Sequence, residues 1–155
     1  MNIVKGIYRS NNPFFIQVGI ATRPQNIVAT AMQLGYGKKT GLPLVGERAG
    51  LLPSDAYMRK NHKRRMTDGD TANMSIGQGV VLATPLQVAQ VMAAIANGCK
   101  LPKLQLVRQV QDANGRIIKY NRDEPRQLLN MQPSDVVIVQ EGLMRVVNDP
   151  AGTGK

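Results

Sequence analysis

Apolar and polar positions along this chain mark out helices before composition is considered. The clearest stretch is TPLQVAQVMAAIANG. Thr84 stands where a cap belongs, Pro85 suits the first helical position, and Gln87 completes a T-x-x-Q capping box, in which hydroxyl and amide each satisfy a backbone N–H that the helix leaves free. Leu86, Ala89, Ala93 and Ala96 share one face, with Val88, Met92 and Ile95 beside it. Two adjoining apolar stripes predict a helix buried on most sides, stopped by Gly98. Upstream, Ile27, Val28, Ala31 and Leu34 repeat at helical spacing behind Pro24, and Gly35 or Gly37 ends that element. Phe14 to Ile20 is apolar and reads as the start of a buried helix. A last helix begins near Pro133, with Asp135 in its first turn and Val136, Val139, Leu143 and Val146 along it.

Elsewhere the pattern weakens. KKTGLPLVGERAGLLPS is rich in Gly and Pro and predicts a loop anchored by leucines, and the basic run and MTDGDTANMSIGQG extend this irregular zone. LQLVRQVQD and GRIIKYN predict two short strands joined around ANG. No internal repeat or domain boundary breaks the chain. The expected class is α-rich α+β with one short hairpin.

Composition adjusts this picture modestly. With 155 residues, 43% of them apolar, the chain suffices for one domain, and with 4% aromatics and no Trp its core must come from Leu, Ile, Val, Ala and eight Met. Net charge is +10, but RKNHKRR (Arg59 to Arg65) holds five basic residues and no acid, so without it the balance is about +5. Such a run predicts a solvated loop. It also raises the alternative of a basic module for nucleic acid or an anionic polymer, whose binding would depend steeply on salt. No aromatic stacking pattern or base-reading helix accompanies it. The single cysteine, Cys99, excludes an internal disulfide, and with His62 as the lone histidine no metal or cofactor site is in view. No signal peptide or long apolar span is present, so the chain as it stands is expected to be soluble.

Candidate chemistry begins at IYRSNNPFFIQVG, where Ser10, Asn11 and Asn12 interrupt an apolar and aromatic run. Short polar residues of this kind favour turns and caps because their side chains bond the local backbone. Their setting against a helix start would equally fix a hydroxyl and an amide on a rigid element, as a catalytic site requires. The order S-N-N-x-F-F-x-x-V-G, then LGYGKKTGLPLVGERAGLLPS, then GDTANMSIGQGVVLATPLQVAQVMAAIANG, then EGLMRVV and a terminal G-T-G strongly resembles the penicillin-binding transpeptidases of bacterial cell-wall synthesis. The likeness spans nearly the whole chain and is greatest to class B enzymes of the elongation, rod-shape type. One departure is RRMTDGDT, where relatives often place Trp or Tyr just before GDT.

The resemblance implies the helical portion of a penicillin-binding, serine β-lactamase-like transpeptidase domain over residues 1–155. Three boxes share the work in that family: S-x-x-K with the nucleophilic serine, S-x-N, and K-T-G or K-S-G on a strand. It implies that Ser10 is the second-box serine, relaying a proton between the first-box lysine and the leaving nitrogen. Asn12 would hydrogen-bond that lysine and the bound peptide amide, and Asn11 takes no role. None of Ser10, Ser54, Ser75 and Ser134 has a lysine three residues on, so the first box is expected upstream and the chain alone is expected to be inactive. Lys39-Thr40-Gly41 imitates the third box but follows a helix end and leads into no strand, and is expected to be structural. The terminal GTGK lacks the right order and resembles the loop that precedes the true third box. Gly77 and Gly79 are expected to supply unusual backbone torsions, and Asp70 with Thr71 a turn or cap.

For the intact parent the likeness implies peptidoglycan stem peptides ending in D-Ala-D-Ala and β-lactams as ligands, no cofactor, and membrane proteins of the elongation machinery as partners. It also implies an inner-membrane anchor with the domain in the periplasm. A catalytically dead scaffold derived from the same fold would read alike, and apolar surface left open on the chain would favour self-association.

Overall fold

The computed structural model describes residues 1–122 and 124–154. Among them the helices are α1 (Ile3–Tyr8), α2 (Asn12–Thr22), α3 (Pro24–Gln33), α4 (Asp55–His62), α5 (Asp68–Ser75), α6 (Pro85–Ala96) and α7 (Pro133–Asn148). The strands, β1 (Lys100–Pro102), β2 (Gln109–Gln111), β3 (Ile117–Tyr120) and β4 (Pro125–Leu128), form two separate antiparallel pairs, β1 with β4 and β2 with β3. An α-rich α+β architecture results, as the sequence predicts. No helix among the described residues is long and apolar enough to cross a membrane.

Helix α6 is capped as its sequence requires. The Thr84 hydroxyl accepts from the Gln87 N–H at 3.2 Å, and Gln87 Oε1 accepts from the Thr84 N–H at 2.9 Å. Its packing departs from expectation. The buried line is Gln87, Gln90, Val91 and Ala94, while Ala89, Ala93 and Ala96 are exposed and Val88 and Met92 remain 42% and 43% exposed. Hydrogen bonding is the reason. Gln87 Nε2 donates to the carbonyls of Lys38 and Ala49 at 2.7 and 2.8 Å, and Gln90 Nε2 donates to the Pro102 carbonyl at 2.7 Å. Buried amides that find such partners tie loops to the helix, which corrects the reading of α6 as enclosed by its apolar stripes.

At its C-terminus α6 ends at Gly98 with φ +74°, and the Cys99 N–H closes back on the Ala94 carbonyl at 2.8 Å. Gln140 of α7 donates to the Ile95 carbonyl at 2.6 Å, satisfying another carbonyl that the helix end leaves free. Ala94, Cys99, Leu101, Leu129 and Val136 form the core here, with Leu34 and Met131 against it.

The zone read as irregular contains α4 and α5. Eight residues give too few repeats for a period to show, and only the caps announce these helices. The Ser54 hydroxyl accepts from the Tyr57 N–H at 3.1 Å, and Thr67 with Asp70 forms a capping box. The basic run is therefore corrected from a loop to a helix end followed by a short link. Arg59 pairs with Asp55 at 2.8 Å, Arg64 pairs through both terminal nitrogens with Asp70, and the Met66 N–H reaches Asp55 at 2.9 Å. The β2–β3 hairpin turns around Asp112–Gly115 as predicted, Asp112 accepting from the Asn114 and Arg116 N–H groups.

Candidate active site

The three polar residues of SNN occupy three different structural positions. Helix α1, which the sequence did not announce, is capped by Asn2, whose side chain accepts from the Lys5 N–H at 2.9 Å. It ends at Arg9, after which Ser10 adopts φ +49°. The Ser10 N–H donates to the Ile7 carbonyl and the Asn11 N–H to the Gly6 carbonyl, both at 3.0 Å. This is the Schellman closure of a helix, whose left-handed position usually belongs to glycine. A residue with a Cβ there costs roughly 1–2 kcal/mol. Asn11 then caps α2, its side-chain oxygen accepting from the Phe14 N–H at 2.9 Å, and Asn12 opens that helix ahead of Pro13. Among the described residues the Ser10 hydroxyl and the Asn12 carboxamide have no hydrogen-bond partner, and both residues are exposed.

Close backbone contacts hold this turn in place. A Cβ on the buried Gly6 would meet the Phe14 ring at 2.6 Å, so α1 and α2 fold tightly against one another. Further along α2, a Cβ on Gly19 would lie 1.7 Å from the Ser75 hydroxyl oxygen, which brings α2 onto α5. Gly19 is nevertheless the one buried residue of α2, with Val18 and Ile20 40% and 42% exposed. The expectation of a buried helix behind Ser10 is corrected to a half-covered one. An apolar run without clear periodicity does not reveal which side is enclosed.

The remaining candidates behave structurally. Residues 39–41 form no strand. Thr40 is buried, with its N–H donating to Glu47 at 2.6 Å and its hydroxyl donating to the same carboxylate, while Arg126 donates to the carbonyls of Lys39 and Thr40. The Thr40 hydroxyl bond holds the Glu47 carboxyl below its ordinary range. Asp70 is the third residue of α5 and half of its capping box, and the Arg64 guanidinium holds its carboxyl well below the usual carboxylate range. Gly77 and Gly79 adopt φ +70° and +77° as expected. A cavity of about 530 Å³ among α3, α5 and α6 is lined by Ile27, Tyr36, Leu52, Met74 and Val88 among others, and by neither Ser10 nor Asn12. Burial pushes the Tyr36 hydroxyl up. The sequence offered a cap or turn for the tripeptide without singling out Asn11, although an Asn two residues before a Pro in a helix's first turn is a readable cap signal.

A family model described as the penicillin binding protein transpeptidase domain matches residues 1–155. The peptidoglycan D,D-transpeptidase MrdA of Salmonella typhimurium is 32% identical over 155 residues, covering 99% of this chain and 25% of that protein. A solved penicillin-binding protein PBP2 from Helicobacter pylori is 30% identical with a TM-score of 0.81, over 99% of this chain and 27% of that one. The same protein in complex with MreC gives 28% identity and a TM-score of 0.79, over 99% of this chain and 27% of the solved chain. The chain spans about a quarter of the length of the curated relatives it matches.

Proposed function

Because the chain belongs to the penicillin-binding protein transpeptidase family, in its class B elongation branch, we propose that it supplies the S-x-N box of a peptidoglycan D,D-transpeptidase site. A serine on a separate S-x-x-K segment attacks the peptide carbonyl of a D-Ala-D-Ala stem, and the terminal D-Ala leaves as its nitrogen takes a proton. An amine on a neighbouring strand then displaces the serine from the acyl-serine ester. β-Lactams acylate the same serine. Ser10, whose hydroxyl both donates and accepts, relays the proton between the first-box lysine and the leaving nitrogen. Asn12, with donor and acceptor on one carboxamide, holds that lysine and the peptide amide.

One observation carries this reading. Ser10 sits in a glycine-type conformation with its hydroxyl free of local bonds. Strain of that kind persists where it serves function. The PBP2–MreC complex supports a contact between this protein and a partner protein of the elongation machinery. The intact protein is proposed to be anchored in an inner membrane with this domain in the periplasm.

The experiment has two arms. Incubated with a fluorescent penicillin and run on a denaturing gel, the chain alone takes no stable label, since none of its serines precedes a lysine by three. In a longer enzyme joining these residues to the first box, Ser10→Ala slows acylation about 10²–10⁴-fold. A labelled band from the chain, or unaltered acylation by the variant, overturns the proposal.

A further inference from the structure

Helix α1 is only six residues long, too short to hold itself, and it ends in the strained Ser10. Strained residues of this sort last when their surroundings over-determine them. We propose that Gly142 of α7 and the Gly152-Thr153-Gly154 loop that follows are positioning residues for the Ser10 turn, an inference resting on the roles of Ser10 and Asn12 given above.

The contacts converge on the three residues that precede Ser10. Gly142 is buried against Ile7, where a Cβ would lie 2.7 Å from Ile7 Cδ1 and 3.0 Å from its Cβ. Ile7 is the residue whose carbonyl receives the Ser10 N–H. The loop after α7 folds back on the helix it leaves, with the Gly154 N–H donating to the Val146 carbonyl at 3.0 Å and the Gly152 N–H to the Asp149 carbonyl at 2.8 Å. Neither glycine has room for a side chain in this fold-back. A Cβ on Gly152 would come within 2.3 Å of the Val146 carbonyl oxygen, and one on Gly154 within 2.7 Å of Val146 Cγ1.

Folded this way, the loop reaches the end of α1. The Thr153 hydroxyl donates to the Tyr8 carbonyl and Arg9 Nη1 donates to the Ala151 carbonyl, both at 3.4 Å, across sequence separations of 145 and 142 residues. Carbonyls in the last turn of a helix have no partner within it, so Thr153 supplies one that α1 cannot. The terminal G-T-G thus has a physical reason: two glycines for the fold-back and a hydroxyl between them for the helix end.

Amide hydrogen exchange on the isotopically labelled chain tests this. Gly142→Ala is expected to speed exchange at Ser10 and Asn11 about tenfold, with Val91 and Ala94 of α6 unchanged. Thr153→Val, at an exposed position, is expected to give about threefold at the same two amides, and Thr153→Ser to restore the parent rate. Parent rates at Ser10 and Asn11 in either Gly142→Ala or Thr153→Val overturn the proposal, as does a rise shared equally with α6. These rates report the turn alone, whereas acylation by the Ser10→Ala enzyme reports the chemistry, so one reading can fail without the other.

Discussion

At Ser10 local stability and the proposed proton relay pull in opposite directions. Its backbone closes α1 as a glycine would, with φ +49°, yet it presents a hydroxyl that glycine lacks. Ser10→Gly relieves the left-handed strain, and the added freedom of glycine in the unfolded chain offsets part of the gain, leaving a net stabilisation of about 0.5–1 kcal/mol. Urea unfolding should show the variant's midpoint above that of the parent, and an equal or lower midpoint would falsify the strain argument. In a longer enzyme the same change should slow acylation about 10²–10⁴-fold, since it removes the hydroxyl proposed to relay the proton. Stability would then be given up where the proposed chemistry needs it. Asn11 and Asn12 lie next to each other in sequence, but the first spends its side chain on the α2 cap and the second keeps it free. The tripeptide alone could not distinguish them, since both are Asn and each favours turns and caps.

At the scale of elements, legibility followed length and periodicity. Helices α3, α6 and α7 and the β2–β3 hairpin were visible because repeats, caps or turn residues recur within one window. Helices α1, α4 and α5 were not, since six to eight residues give one or two repeats at most. The β1–β4 pair joins segments more than 20 residues apart, a pairing that local patterning does not encode. The cap of α5 also makes a pH prediction. Hydrogen bonding from Arg64 lowers the Asp70 carboxyl below its ordinary value of 3.8, so it binds protons less readily folded than unfolded. Its contribution to stability is therefore complete above the unfolded value and is lost as pH falls through the folded one. Asp70→Asn should lower stability near neutral pH and flatten its decline below about pH 5. Urea titrations of both proteins across that range check this, and parallel curves would count against the ion pair and cap.

For the whole molecule the telling quantity is surface. The chain exposes 10419 Å², whereas a compact monomer of 16.9 kDa exposes roughly 7,700 Å². Large apolar side chains lie on that surface: Val137, Met144 and Val147 on α7 and Ile117, Ile118 and Tyr120 on β3 are all at least 47% exposed. Surface of this extent drives association or dye binding. The isolated chain is expected to enhance ANS fluorescence and to sediment as larger species when concentrated. A sharp monomer boundary at every concentration, without dye binding, would contradict it. Helix α6 adds to this open surface: with Gln87 and Gln90 bonded on its buried side, Val88 and Met92 of its apolar stripes are left exposed while Leu86 and Ile95 are half-buried.

The sequence by itself determined the family, through long motifs such as GDTANMSIGQGVVLATPLQVAQ, and the caps and periods of the longer helices, because those signals lie within a few turns of chain. It also separated the Lys39-Thr40-Gly41 imitation from a strand, since Gly and Pro around it forbid one. Tertiary structure alone decided which faces are buried, where the glutamine amides bond, and that α7 meets α1 beside Ser10. Those outcomes depend on contacts between residues far apart in sequence, whose energies local propensity does not contain.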